Sequence, residues 1–462
     1  MPAPSASTSP PHDGPTIPSP AESTRIRDAI FANQQIWLDR LATGLPYPRQ
    51  SPGPSSPIAQ ERLWHGGPLE AARTGRSAVI MAAYVPAAPI SARTLDQGFA
   101  WLRTRRTGDV LVWAAAPMPD LDILLLARGA RESFVPHWMW RPLAPAVRVD
   151  IPAQVTIRLA TPADRDEILA NPAIPYLDGA QLATMLALGA TPAGNGPTIR
   201  VIIAREGGPL RRSRVVGLGA LNVDASGPAI TANLFNLGVD PAARGRGIGT
   251  ALTQAALALA RDDGAIGLGL NATPDGERIY RAAGFHSIGQ GRTWFLPGAR
   301  LRHPPDDATI AFAEALARGD DVALDSRLAD MPMMPNGESP VVFAARFGAN
   351  GRAAETVRWL LRHGAMPDIV ALWTVGLRDE ATALMTDPRL RDRRAGPNAT
   401  TPLHDAIERD DLALAHALIA AGANRTIRDI QYQGTAADWA RVLHRQAIAA
   451  LLVAADTDGR MS

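Results

Sequence analysis

Apolar and polar residues alternate strictly through Val155-Thr156-Ile157-Arg158-Leu159, the period-two pattern of a strand with one face buried. Thr161-Pro162-Ala163-Asp164 then reads as a helix start, with a capping hydroxyl followed by proline at the first helical position. Ala180–Leu188 predicts a second helical stretch, and Thr198–Arg205, Arg214–Val223 and Ala229–Val239 read as three successive strands. The alanine-rich segment Thr250–Arg261 predicts a long helix. A strand over Ala265–Leu270 and a helix over Asp275–Ala283 follow, ending at Gly284-Phe285.

An earlier stretch repeats this outline. Asp109–Trp113 reads as a strand and Pro119–Arg128 as a helix ending at Gly129, with Phe134–Leu143 as closing strands. Trp101, Trp113, Trp138 and Trp140 are expected in its core. Before it, residues 1–23 are rich in Pro, Ser and Ala, without the basic and apolar regions of a secretory signal, and are expected to be a disordered tail.

Past residue 305 the pattern changes to short amphipathic helices with a repeat. Thr401-Pro402-Leu403-His404-Asp405-Ala406 leads into a run ending Gly422-Ala423-Asn424, and the same phase returns at Thr435, a step of 435 − 401 = 34 residues. Ser339-Pro340-Val341-Val342-Phe343-Ala344-Ala345 leads likewise to His363-Gly364-Ala365; the step 401 − 339 = 62 leaves room for one degenerate copy around 369–398. These motifs resemble ankyrin repeats, whose period is about 33 residues. With a capping unit over 308–330 the resemblance implies an all-α solenoid of about five units across residues 306–456, and a protein partner or self-association through it. In that family the histidine of the Thr-Pro-Leu-His motif is structural, which makes His404 a poor metal ligand.

The composition removes several chemistries. In a chain of 462 residues, long enough for about three domains, cysteine is absent and every one of the 47 basic residues is arginine. Thiolate metal sites, cysteine nucleophiles, Schiff-base lysines and a lysine-bearing phosphate loop are thereby excluded. The formal charge of +2, with no dense basic block beyond Arg211, Arg212 and Arg214, speaks against nucleic acid. No apolar run approaches the roughly 18 residues of a membrane span, so the expectation is a cytoplasmic protein without a membrane partner.

The chemistry concentrates after the fourth strand of 155–296, the last of three in succession, in Arg244-Gly245-Arg246-Gly247-Ile248-Gly249. A glycine-rich turn between a strand and a helix lets the backbone close on phosphates, so that free amides and the positive helix end meet the charge. A Rossmann site would need repeated βαβ units, whereas three strands without intervening helices precede this loop. The loop resembles the R/Q-x-x-G-x-G/A motif of the GNAT N-acetyltransferase superfamily. Leu237-Gly238-Val239-Asp240 resembles that family's splayed strand, and Ala272-Thr273-Pro274-Asp275-Gly276 with Ile279-Tyr280-Arg281-Ala282-Ala283-Gly284-Phe285 its second signature.

The resemblance implies an α/β (α+β) GNAT fold with a mixed, mostly antiparallel sheet over 151–298, preceded by a degenerate GNAT-like half over 24–150 and joined by a linker, 299–305, to the all-α ankyrin solenoid. It implies an acyltransferase that uses acetyl-CoA as cosubstrate, without a metal, and acetylates a primary amine by direct attack. Amides of Arg244, Gly245, Arg246, Gly247, Ile248, Gly249 and Thr250 would hold the pyrophosphate. Val239 would hydrogen-bond the pantetheine arm through its backbone, Leu237, Asn271 and Thr273 would be further cofactor-binding residues, and Tyr280 would protonate the departing thiolate. The strand residues 229–236 hold no carboxylate to act as base. Water held by Asn233 or Asn236, or a side chain such as Asp178 or Asp224, remains to deprotonate the ammonium. The acceptor is open: a small amine, as for the bacterial tandem enzymes that inactivate antibiotics and that this arrangement resembles, or a protein amine. A non-catalytic sensor of acetyl-CoA that signals through the ankyrin array is the competing reading.

Overall fold

The structure, a computed structural model, describes residues 18–44, 64–65, 81–85, 90–104, 109–143, 149–175, 179–190, 198–208, 211–224, 231–320, 323–324, 333–347, 352–396 and 398–458. They fall into two compact units: the residues up to Leu121 with Arg131–His303, and Asp122–Ala130 with the residues from Pro304 onward. Among the described residues no helix is long and apolar enough to cross a membrane.

The first unit begins with helix α1 (Pro20–Gly44), which starts inside the segment expected as a tail; residues 1–17 lie outside the described residues. Strands β1 (Trp64–His65), β2 (Met81–Val85), β3 (Val110–Ala114) and β4 (Arg131–Glu132) follow, with helices α2 (Ala92–Thr104) and α3 (Pro119–Ala127), the last belonging to the second unit from Asp122 onward. Then come β5 (His137–Pro142), β6 (Val155–Leu159), α4 (Arg165–Leu169), α5 (Gly179–Ala190), β7 (Thr198–Gly208), β8 (Arg211–Asp224) and β9 (Thr231–Val239). The remainder is α6 (Ile248–Asp262), β10 (Gly267–Ala272), α7 (Pro274–Ala282), β11 (His286–Gln290), β12 (Arg292–Leu296) and α8 (Gly298–Arg302). Each element expected over 155–296 is present to within a few residues, and the sheet is mixed, with β9–β10 its parallel pair.

The strands do not divide at residue 150 as their order along the chain suggested. The larger sheet runs β11-β5-β10-β9-β8-β7-β6, so β5 from the N-terminal half lies between β10 and β11, antiparallel to both. In return β12 crosses to the smaller sheet, β1-β2-β3-β12-β4, where Trp294 pairs with Val112 and Glu132. The segment Phe134–Leu143 therefore does not close its own half, and 24–150 and 151–298 are not two self-contained domains. The reason is in the sequence of β5: Trp138, Met139 and Trp140 are all buried, and a strand with both faces covered belongs in a sheet's interior. On the neighbouring strand β10, Gly267, paired with Pro142 two residues along, makes room for the Trp140 ring, since a Cβ there would lie 1.9 Å from it.

The larger sheet separates two cores. Against one face pack α6 and α7, enclosing Met139, Leu234, Leu252, Leu257, Tyr280 and Phe285. The other face carries α1, α4 and α5, with Ile30, Trp37, Trp138, Trp140, Leu182 and Val201. Trp113 is buried too, in line with the core role expected of the tryptophans, while the side chain of Trp101 is outside the described residues.

The second unit is helical. Beyond α9 (Asp307–Arg318) come the pairs α10 (Pro340–Arg346) and α11 (Ala353–Arg362), and α12 (Ile369–Thr374) and α13 (Arg378–Leu384) with the short α14 (Pro388–Arg391). Two more follow, α15 (Pro402–Glu408) with α16 (Leu412–Ala420), and α17 (Ala436–Val442) with α18 (Gln446–Asp458). Arg128, after α3, joins this unit through a 3.0 Å ion pair to Glu314. His404 is buried, its Nδ1 2.8 Å from the Thr401 hydroxyl and its Nε2 3.3 Å from the Gly434 carbonyl of the following repeat, which is the structural role its motif implied.

Beside it, burial pushes the Asp405 carboxyl up to about 6, although Thr400 donates to it at 2.9 Å. Its ordinary value is 3.8, so between about pH 4 and 6 the folded state holds a proton that the unfolded chain releases. Stability accordingly falls as the pH rises through that window. Asp405→Asn, which keeps an acceptor for Thr400, is expected to stabilise the unit by on the order of 2–3 kcal/mol at pH 7 and by little below pH 4. Urea unfolding at the two pH values measures the difference, and an equal effect at both contradicts the assignment.

Candidate functional site

The turn between β9 and α6 begins at Asp240, which is buried and caps the 3-10 turn Pro241–Ala243 by accepting from the Ala242 amide at 2.9 Å. Asn171 and Arg214 donate to its other oxygen at 2.9 and 3.0 Å, and these bonds, Asn171's first, hold the carboxyl below its usual range. This brace was missed in the sequence; the Asp-Pro pair beside the glycine turn was its one local signal.

Gly245 and Gly247 have φ of +75° and +80°, the left-handed region that side-chain-bearing residues avoid. A Cβ on Gly245 would meet nothing within 4 Å, so the space over the turn is open. Gly247 is the N-cap of α6 and brings no capping side chain, and the first helical bond runs from the Ala251 amide to the Gly247 carbonyl. The amides of Ile248, Gly249 and Thr250 precede that bond and point out of the helix end. Gly249 has another cause: its Cβ would lie 3.3 Å from Ile279, so it sets how closely α6 approaches α7. Arg244 is exposed and donates from Nε to the Val239 carbonyl at 3.4 Å, while Arg246 is paired with Glu206. These residues fit a pyrophosphate: open space, outward amides, a positive helix end and two arginines at the rim.

Next to the cradle the sheet opens. β9 and β10 pair at Ala232–Leu234 with Leu268–Leu270 and no further, although β9 runs on to Val239 and β10 to Ala272. On its other side β9 carries a bulge: Leu218 pairs with Gly238 but Ala220 with Phe235, and Asn236 takes φ +50°. Leu237 and Val239, both half-buried, sit on the diverging part, and the gap suits an extended arm whose amides continue the ladder of β9. Tyr280 is buried on α7, its ring edge-on to Phe285 with centroids 5.8 Å apart.

Other candidates have different occupations. Thr273 is the N-cap of α7 and accepts from the Gly276 amide at 3.2 Å; Asn271 accepts from the His137 amide at 2.9 Å. Asn233 is buried, with its amide nitrogen donating to the Ile30 carbonyl of α1 at 2.8 Å, and its oxygen is buried without a partner. Asp224 pairs with Thr231 at the start of β9, four residues or roughly 13 Å from where the strands diverge, so the fold does not bring it to the opening. Asp178 lies outside the described residues.

The family model described as an acetyltransferase (GNAT) domain matches residues 197–287, and an ankyrin repeat model matches 398–430. Among solved structures the chain is similar to a GCN5-related N-acetyltransferase from Kribbella flavida, 18% identical, covering 55% of this chain and 100% of that one with a TM-score of 0.37. It is similar to another from Sphaerobacter thermophilus, 17% identical over 61% and 94% of the two chains, TM-score 0.38. A tandem GNAT protein from the clavulanic acid biosynthesis pathway is 17% identical over 60% and 97%, TM-score 0.36. No curated protein matches the chain.

Proposed function

We propose that this chain, which carries a GNAT acetyltransferase domain followed by ankyrin repeat sequence, transfers the acetyl group of acetyl-CoA directly to a primary amine. The observation that carries the reading is the junction of an uncapped, glycine-turned helix end with the one parallel strand pair of the larger sheet, which parts beyond Leu234 and Leu270. Backbone amides of Gly245–Thr250 hold the pyrophosphate, the diverging strand Leu237–Val239 binds the arm, and its amides face the oxyanion that forms as the amine attacks. Tyr280 supplies a proton to the departing thiolate. Asn236, at the bulge and half-buried, is the better of the two asparagines to hold a water that takes the ammonium proton, because the Asn233 amide is tied to α1. The acceptor is a small amine, including the amine-bearing antibiotic class, or a protein amine recruited by the ankyrin unit, which serves partner binding or self-association in the cytoplasm.

Isothermal calorimetry is expected to find one acetyl-CoA site per chain, since the glycine turn occurs once. Two equivalent sites contradict the assignment. Release of CoA in the presence of a panel of amines then tests transfer. Two observations favour a sensor instead: β9 offers no carboxylate, and α1 lies on the Asn233 face of that strand. Tight binding without CoA release by any amine would decide for that reading.

A further inference from the structure

On the α7 side of the larger sheet, three side chains from separate elements meet outside the cradle. His137 opens β5, Glu277 lies in α7, and Ser287 is on β11. The imidazole Nδ1 is 3.2 Å from Glu277 Oε2, and its Nε2 is 2.8 Å from Ser287 Oγ. We propose that Ser287, His137 and Glu277 form a second catalytic group, in which Ser287 is a nucleophile toward short-chain acyl esters.

The order of contacts is what a serine nucleophile requires. With Nδ1–H donated to the carboxylate, the lone pair of Nε2 faces the serine hydroxyl, which is the tautomer a general base needs. The carboxylate is itself fixed: Arg281, one turn on, donates from Nε to Glu277 Oε1 at 2.7 Å. Arg281 first, and His137 after it, hold the Glu277 carboxyl below its usual range, so it is ionised and able to stabilise an imidazolium. The His137 main chain is anchored too, by its amide on Asn271 Oδ1 at 2.9 Å and by its place in a strand paired on both sides. His137 is 17% exposed whereas Ser287 is open to solvent, so the base is sheltered and the nucleophile reachable. A bulge between Ser287 and Gly289 interrupts the β5–β11 ladder beside the serine. His404 makes the contrast: its two nitrogens meet a threonine hydroxyl and a backbone carbonyl in the second unit, neither of them a carboxylate.

In the first step the Ser287 Oγ bonds to the acyl carbon as its proton passes to His137 Nε2. The ester C–O bond breaks, the alcohol leaves with that proton, and the acyl group stays on Ser287. Water then attacks the same carbon, giving its proton to His137, and the acid departs as the proton returns to Oγ. One ester and one water become one acid and one alcohol. The position on the edge strand β11 suits acyl groups small enough to need no enclosing pocket.

The full chain, treated with a fluorophosphonate, is expected to carry one adduct at Ser287 by peptide mass spectrometry and to hydrolyse p-nitrophenyl acetate. Ser287→Ala, a change at an exposed position, should abolish both while leaving the melting temperature unchanged. His137→Gln and Glu277→Gln should lower hydrolysis on the order of 10²–10⁴-fold. No adduct, an adduct elsewhere, or Ser287→Ala hydrolysing at the wild-type rate overturns the proposal. So does labelling of Ser287 that His137→Gln leaves equally fast. The contacts would then be a brace for β5, visible as a lower melting temperature in His137→Gln alone.

Discussion

Replacing Gly247 with valine is expected to abolish acetyl-CoA binding, with a loss of at least about 100-fold in affinity, or roughly 2.7 kcal/mol. Two effects combine. At φ +80° a β-branched residue is strained by about 1–2 kcal/mol or more, so the turn shifts away from the geometry that aims the amides of Ile248 and Gly249 outward. The new Cβ would touch Pro152 Cγ at 3.4 Å, and the two methyls beyond it would enter the helix end where the proposed pyrophosphate site lies. Gly245→Asn is the control. That position is equally left-handed, but a Cβ there meets nothing within 4 Å, and asparagine tolerates the conformation, so the loss should be several-fold smaller. Calorimetry on both variants, with thermal unfolding to verify the fold, makes the comparison. Wild-type affinity in the valine variant would remove the cradle from the proposed mechanism.

Tyr280→Phe is expected to slow turnover on the order of 10²-fold at saturating substrate while acetyl-CoA affinity stays within a factor of two. The ring is buried against Phe285, and phenylalanine keeps that packing, so the variant should fold. Only the hydroxyl goes, and in the proposed mechanism it is needed when the thiolate leaves. An unchanged rate sinks the acid assignment; a collapsed fold would mean that the hydroxyl serves the core.

What could be read in the sequence was what neighbouring residues determine. Arg244–Gly249 is legible because a turn, a helix cap and their amides are all local, and the strand and helix order of 155–296 follows from periodicity within each element. The partners of β5 and β12 were not legible. His137 meets Asn271 across 134 residues, and Thr293 meets Phe134 across 159. Alternation tells which side chains share a face, not which strand lies alongside. Asn233 illustrates the same limit: its position in β9 suggested a water-holding polar group, but the group it meets is a carbonyl of α1, 203 residues earlier. The cluster of His137, Glu277 and Ser287 escaped for the same reason, since it exists only because β5 is inserted between β10 and β11.

The exchange of β5 and β12 also sets a schedule for biosynthesis. β5 leaves the ribosome 134 residues before the part of β10 it meets, on the order of ten seconds at about 5–20 residues per second. Through that interval Trp138, Met139 and Trp140 have neither flanking strand, and a short, doubly apolar segment waits in the open where a chaperone or another nascent chain can reach it. The gap that β5 fills cannot exist until β10 and β11 are made, and the smaller sheet stays incomplete until β12 follows. The first unit therefore closes late and all at once, and its halves are bound to be inherited and expressed as a single piece.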